Sequence, residues 1–223
     1  MIEAVLFDLD DTLLDHSSAA SAAVVASFPD SDAAYVARRW SELMELVYPR
    51  YLSGELDLDE QRRVRITMLA AELGLGDWEA ARADAWIASY IRHYEKGWRL
   101  FPDVVACLDA CALPMGIITN GDGDLQRDKL RRIGLADRFP QVIASEEAGI
   151  AKPAPEIFLL ACEALGVAPA RTAYVGDRLS TDAQGAQAAG LRGIWLDRTR
   201  GAFSGSLDVT RITTLVDLAG VLR

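Results

Sequence analysis

The sequence predicts an α/β protein, a doubly wound parallel sheet with a bundle of helices inserted after its first strand. Three observations carry this. From Phe101 onward short apolar runs alternate with helical stretches, the pattern of a parallel sheet covered on both faces. A further strand-like run at residues 2–7 has no partner near it in sequence. Between these two regions, residues 17–98 keep a helical pattern throughout.

Residues 2–7 read as the first strand, apolar through Ala4-Val5-Leu6-Phe7. The helical stretch from Ser17 to Trp98 is broken at Phe28-Pro29-Asp30, at Tyr51-Leu52-Ser53-Gly54 and at Gly74-Leu75-Gly76-Asp77. Within Asp32 to Tyr51, Tyr35, Val36, Trp40, Leu43, Met44 and Val47 recur at steps of three and four residues, the spacing of one helix face. Leu56–Leu73 and Trp78–Tyr94 repeat that character, and Trp40, Trp78, Trp86 and Trp98 are expected mostly to pack this bundle. After Phe101-Pro102-Asp103, strands are expected at 115–119, 141–144, 172–176 and 193–196. Helices are expected near 103–112, 123–133, 155–165 and 181–189, with a surface loop at Gly201–Leu207 before a last strand and helix. The strand at 2–7 then joins the later sheet, giving a core of residues 1–15 and 99–223 around an inserted helical region at 16–98.

Composition narrows the function. The net charge of −10 and the lack of any basic block argue against an electrostatic hold on a nucleic-acid polymer. No segment reaches the roughly 20 apolar residues of a membrane span, and residues 1–16 lack the order of a secretory leader. A cytoplasmic location without a membrane partner is expected. Cys107, Cys111 and Cys162 match no disulfide or zinc spacing, and Cys107 and Cys111 read as small, buried side chains.

Ligands of open parallel sheets bind beyond the carboxyl ends of the strands, so the residues that follow each strand matter most. The first strand runs into Asp8, Asp10 and Asp11, with Thr12 and Asp15 close behind. Alternation along the strand suggests that Asp8 and Asp10 point to one side. The strand at 115–119 delivers Thr119-Asn120-Gly121-Asp122-Gly123, a hydroxyl, an amide and a turn able to offer N–H groups to an anion. The strand at 141–144 leads to Lys152-Pro153, one of three lysines in the chain, and the strand at 172–176 ends in Gly176-Asp177-Arg178 with Asp182 beyond. Carboxylates gathered at one point repel one another unless a cation sits among them, and hard oxygen ligands suit Mg²⁺. Thr119, the glycine turn and Lys152 supply donors for a phosphate. A carboxylate attacks phosphorus once metal and lysine offset the charge of both anions, and a second carboxylate two residues away is placed to carry a proton.

Asp8-Leu9-Asp10-Asp11-Thr12, Thr119-Asn120-Gly121, Lys152-Pro153 and Gly176-Asp177-Arg178-Leu179-Ser180-Thr181-Asp182 resemble, in order, the four motifs of the haloacid dehalogenase-like hydrolase superfamily. The resemblance covers essentially the whole chain and implies a Rossmann-like core with residues 16–98 as a helical cap. It implies Asp8 as the nucleophile that forms an aspartyl-phosphate and Asp10 as the acid and base. Mg²⁺ would be held by Asp8, the Asp10 main-chain carbonyl and Asp177. Thr119 and Lys152 would bind the phosphoryl group with Asn120 nearby. Asp182 would orient the lysine or touch the metal, and Asp11 and Thr12 would support from behind.

The implied function is Mg²⁺-dependent hydrolysis of a small phosphate monoester, by a monomer or homodimer. Nucleoside 5′-monophosphates, sugar phosphates and phosphoglycolate are the candidate substrates. The alternatives are a phosphosugar mutase, a metal-independent dehalogenase and a non-catalytic binding protein. Asp10 speaks against dehalogenation, since displacing a halide needs no acid, and the intact acidic set speaks against a binding protein. His16 is expected at the entry to the helical region as a cap, hinge or substrate contact, and His93 as partly exposed. Arg62, Arg63 and Arg65 form a basic cluster from which a substrate-reaching arginine would come.

Overall fold

The computed structural model describes residues 1–201 and 208–222; most of the expected loop at Gly201–Leu207 lies outside the described residues. In chain order the elements begin with β1 (Ala4–Phe7), α1 (His16–Ser27), α2 (Ala33–Leu52), α3 (Leu58–Glu72), α4 (Ala80–Lys96), α5 (Val104–Ala110) and β2 (Met115–Thr119). They continue with α6 (Gly123–Arg132), β3 (Gln141–Ala144), α7 (Ser145–Ala148), α8 (Pro155–Leu165) and β4 (Thr172–Gly176). The last are α9 (Gly185–Ala188), β5 (Arg192–Leu196), β6 (Thr210–Ile212) and α10 (Leu218–Val221). The chain divides into two compact units, Met1–Asp15 with Arg99–Arg223, and His16–Trp98.

The first unit is built on one six-stranded parallel sheet in the order β3-β2-β1-β4-β5-β6. β1 is central: Val5 lies opposite Met115 of β2 and Ala173 of β4. A strand covered on both faces must be apolar throughout, and all four residues of β1 are buried. On one face Leu6, Ile118 and Tyr174 pack with Ile157, Phe158 and Ala161 of α8. The Phe158 ring meets Tyr174 edge-on at 5.0 Å. Alternation sends Phe7 to the other face, where it meets Phe139 at 6.0 Å. Each such ring or branched side chain withdrawn from water contributes about 1.5–3 kcal/mol. The polar ends of β1, β2 and β4 all emerge at the same edge, because every strand is parallel.

Two elements differ from the sequence reading. β1 is shorter than residues 2–7, and the helix expected near 181–189 forms as a π-helical turn at Leu179–Gln184 followed by α9.

The second unit is the four helices α1–α4. Asp32 starts α2 by accepting the Ala34 and Tyr35 N–H groups, and Asp57 with Glu60 forms a reciprocal capping box on α3. Its core is aromatic. Phe28, Trp40, Trp86, Tyr90 and Tyr94 make a chain of ring contacts, and Trp40 Nε1 donates to the Tyr90 hydroxyl at 3.1 Å. Among the described residues no helix is long and apolar enough to cross a membrane.

Candidate active site

Asp8 is the first residue past β1 and only 6% exposed. Its N–H continues the sheet ladder to Val175 O, so its position is fixed by the strand itself. Lys152 Nζ donates to Asp8 Oδ1 at 2.6 Å and Thr12 Oγ1 donates to Asp8 Oδ2 at 3.0 Å. The same lysine reaches Asp182 Oδ1 at 2.7 Å and the Tyr174 hydroxyl at 2.8 Å. Thr12 links two strand ends, since it also accepts the Asp177 N–H at 3.1 Å.

Burial pushes the Asp8 carboxyl up to about 7, against the opposing pull of Lys152 and with the help of Asp182 and Asp10. Burial alone would lower Lys152, but the charges of Asp182 and Asp8 outweigh it and hold the ammonium firmly protonated. Burial, then the charges of Asp8, Asp182 and Asp11, drive Asp177 well above the usual carboxylate range.

One oxygen from each of Asp8, Asp177 and Asp182 lies within 4.8 Å of the others, the spacing of a cation site. The three are not equivalent. Asp182 accepts three hydrogen bonds, from Lys152 Nζ and the Tyr174 hydroxyl on Oδ1 and from the Arg178 N–H at 2.9 Å on Oδ2, whereas each Asp8 oxygen accepts one. Asp177 differs: among the described residues nothing donates to its carboxylate. Gly176 makes the arrangement possible, because a Cβ there would stand 2.4 Å from the Asp182 carboxyl carbon. Drawing Asp182 back under Lys152 accompanies the widening of the chain into a π-helical turn where a regular helix is expected. A hard cation fits the chemistry of these gathered carboxylate oxygens, and Asp182 anchors the lysine.

Asp11 takes the turn after Asp10 in a left-handed conformation (φ 61°), which aspartate tolerates better than most residues, and donates its N–H to Leu14 O. Thr119 ends β2 at 1% exposure, and among the described residues nothing bonds its hydroxyl. Asn120 was expected at the phosphoryl group. Its amide brackets the lysine loop: Nδ2 donates to Lys152 O at 3.0 Å and Oδ1 accepts the Lys152 N–H at 2.8 Å. The glycine turn is likewise occupied from within, with Gly121 N–H on Ser145 Oγ and Leu125 N–H on the Asp122 carboxylate.

Asp10 holds what the sequence reading missed. Lys129 of α6 brings its ammonium to 2.6 and 2.8 Å from the two Asp10 oxygens, and Gln126 Nε2 stands 3.3 Å from the same carboxylate. The signal was present in the helix phase, since Gln126, Lys129 and Leu130 share the buried side of α6. Tyr174, whose phenol hydroxyl lies inside the buried strand β4, was the other overlooked member.

Of the remaining candidates, Asp15 pairs with Arg99 at 2.6 Å and His16 Nδ1 stands 2.6 Å from the Tyr94 hydroxyl at the start of α1. The arginine cluster splits. Arg62 and Arg63 pair with Asp59 and Asp84 on the outer face, whereas Arg65 is 6% exposed and lies 3.8 Å over the Trp40 ring. Burial lowers its guanidinium to about 10.

The geometry can be set beside known proteins. The model of the haloacid dehalogenase-like hydrolase family matches residues 2–190. The chain belongs to this family. It is 33% identical to a glyceraldehyde 3-phosphate phosphatase of Methanopyrus kandleri, over 86% of this chain and 82% of that one. A phosphoserine phosphatase of Thermus thermophilus is 40% identical over 61% of this chain and 55% of its own length, so the match spans about half of that relative. Among solved structures, the HAD-hydrolase YfnB of Bacillus subtilis, determined with magnesium bound, superimposes with a TM-score of 0.83 at 26% identity, over 100% of this chain and 99% of that one. The L-2-haloacid dehalogenase of Xanthobacter autotrophicus shares the family fold with a TM-score of 0.77 at 25% identity, over 100% and 99% of the two chains.

Proposed function

We propose that the protein is a Mg²⁺-dependent phosphomonoesterase acting through an aspartyl-phosphate on Asp8, with residues 16–98 serving as a helical cap. The observation that carries this reading is the Asp8 carboxylate, buried, pinned by Lys152 and Thr12, and set beside an Asp177 to which no described residue donates. Asp8, the Asp10 main-chain carbonyl and Asp177 would hold the metal, which when bound neutralises the gathered acids and the phosphoryl oxygens.

Asp8 attacks phosphorus. The bond from Asp8 oxygen to phosphorus forms as the bond from phosphorus to the ester oxygen breaks, and Asp10 gives its proton to the departing alkoxide. Asp10, now a carboxylate, takes a proton from water as that water displaces phosphate from Asp8, which restores both residues. Lys152 and the Thr119 hydroxyl receive the phosphoryl oxygens. Asp182, Tyr174 and Asn120 fix Lys152, two of them through its ammonium and one through its main chain.

Relatives are named as phosphatases of phosphoserine, glyceraldehyde 3-phosphate and N-acylneuraminate 9-phosphate. All three compounds carry phosphate on a primary alcohol, and we assign this chain a small substrate of that class. Its alkoxide is a poor leaving group, which is what a residue such as Asp10 is needed for. The neighbouring dehalogenases raise a second reading, and the retained Asp10 disfavours it.

The test is purified protein with Mg²⁺ on a panel of phosphate esters, beside Asp8→Asn. Release of phosphate from primary-alcohol esters, absent in Asp8→Asn, supports the proposal. Halide release from 2-haloacids without metal, or no turnover above Asp8→Asn on any ester, contradicts it.

A further inference from the structure

Lys129 has no task in the reaction just described, yet it is buried within the site. Helix α6 carries four basic side chains near its end, and three behave as surface residues: Arg127 pairs with Glu147, and Arg131 and Arg132 pair with Asp128. Lys129 turns inward, its side chain 3% exposed, and grips both oxygens of Asp10. Gln126, one helical turn earlier and also 3% exposed, donates to the same carboxylate and lies 3.4 Å from Asn120 O. An ammonium leaves water only for a strong partner, so this pairing defines where both side chains sit. Asp10 itself keeps 26% of its side chain exposed.

Asp10 needs such a grip. It stands on the loop beyond β1, close enough to Asp8 for their charges to repel, and once it has given up its proton beside the phosphorylated Asp8 the carboxylate is pushed toward solvent. A proton donor must stay within hydrogen-bond reach of the leaving oxygen, and a displacement of about 1 Å can cost on the order of 10²-fold in rate.

We infer that Lys129, braced by Gln126, is the positioning residue for Asp10, holding that carboxylate in place against the charges of Asp8 and the substrate. The inference rests on the phosphatase reading, in which Asp10 carries the proton.

The test separates esters by leaving group. With Mg²⁺, kcat/KM is measured on 4-nitrophenyl phosphate, whose phenolate departs without a proton, and on the fastest primary-alkyl phosphate of the panel, whose alkoxide requires one. Lys129→Met should lose about 10–100-fold on the alkyl ester and change little on the aryl ester, and Lys129→Arg should recover part of the loss. Gln126→Ala should show the same asymmetry, smaller, and carries the test if Lys129→Met does not fold. Asp10→Asn should show the largest asymmetry, about 10²–10⁴-fold on the alkyl ester. Equal losses on both esters in the Lys129 and Gln126 variants, or a lower melting temperature with unchanged leaving-group dependence, would make the pair a structural staple and overturn the inference. An Asp10→Asn variant without asymmetry would instead overturn the acid role of Asp10, and this inference with it.

Discussion

Two lysines meet carboxylates beyond the same central strand, in opposite settings. Lys152 joins Asp8, Asp182 and Tyr174 in a closed cluster in which the lysine is 3% exposed and the two acids 9% and 2%. Lys129 joins Asp10, which stays 26% exposed, with Gln126 as a second donor. The closed cluster is built to stay fixed: both oxygens of Asp182 accept hydrogen bonds, and the lysine is held at both its ammonium and its main chain. In the open pair the carboxylate stays partly exposed. A nucleophile and a charge-neutralising ammonium gain from rigidity, whereas a group that must hand over a proton and take one back needs an unblocked approach.

The strongest way to break this comparison is within the closed cluster. Asp8→Asn removes the nucleophile, and turnover should fall by at least about 10⁴-fold. Lys152→Met should lower kcat by about 10²–10³-fold, the scale for removing one preorganised donor. It also strands Asp8 and Asp182 as buried, unpaired acids, and should therefore lower stability by about 3–5 kcal/mol in denaturant unfolding. In the open pair, Lys129→Met should cost less than about 1 kcal/mol, because Asp10 reaches water. If the two lysine variants lose equal stability, the closed and open distinction fails.

Asp177→Asn sharpens the contrast from the acidic side. The folded protein holds Asp177 above its unfolded pKa, through burial and the charges of Asp8, Asp182 and Asp11. Ionisation at neutral pH therefore costs stability, a cost that grows as pH rises above the unfolded carboxylate range. Metal-free Asp177→Asn should melt higher than wild type at pH 7. Added Mg²⁺ should raise the wild-type melting temperature more than that of the variant, since a ligand at a hundred times its Kd adds about 2.7 kcal/mol. Differential scanning fluorimetry with and without Mg²⁺ reads both.

The fold was largely legible because strand ends announce themselves. Met115–Thr119 and Thr172–Gly176 are apolar runs that stop at a hydroxyl or a glycine, and both appear with those bounds. The aspartates after β1 were legible for the same reason, since a buried strand does not continue into Asp8 and Asp10 without a use for them. Lys129 escaped because an amphipathic helix normally turns its lysines to water, and its partner lies 119 positions earlier in the chain. The bracing of the lysine loop by Asn120 was not legible, because the groups its amide engages lie 32 positions later in the chain. The π-helical turn was illegible because it accompanies the drawing of Asp182 toward Lys152 and Tyr174, neither of them nearby on that turn.

The central claim is that Asp8 becomes phosphorylated. Asp10→Asn given 4-nitrophenyl phosphate, whose phenolate departs without a proton, should take up the phosphoryl group and release it slowly: protein quenched during turnover of that ester, reduced with borohydride and digested should yield the peptide spanning Asp8 with that residue converted to homoserine. The modification should be absent without substrate and absent in Asp8→Asn. Steady turnover by the wild type with no trapped modification at Asp8 in Asp10→Asn, or with modification at another residue, would contradict the account.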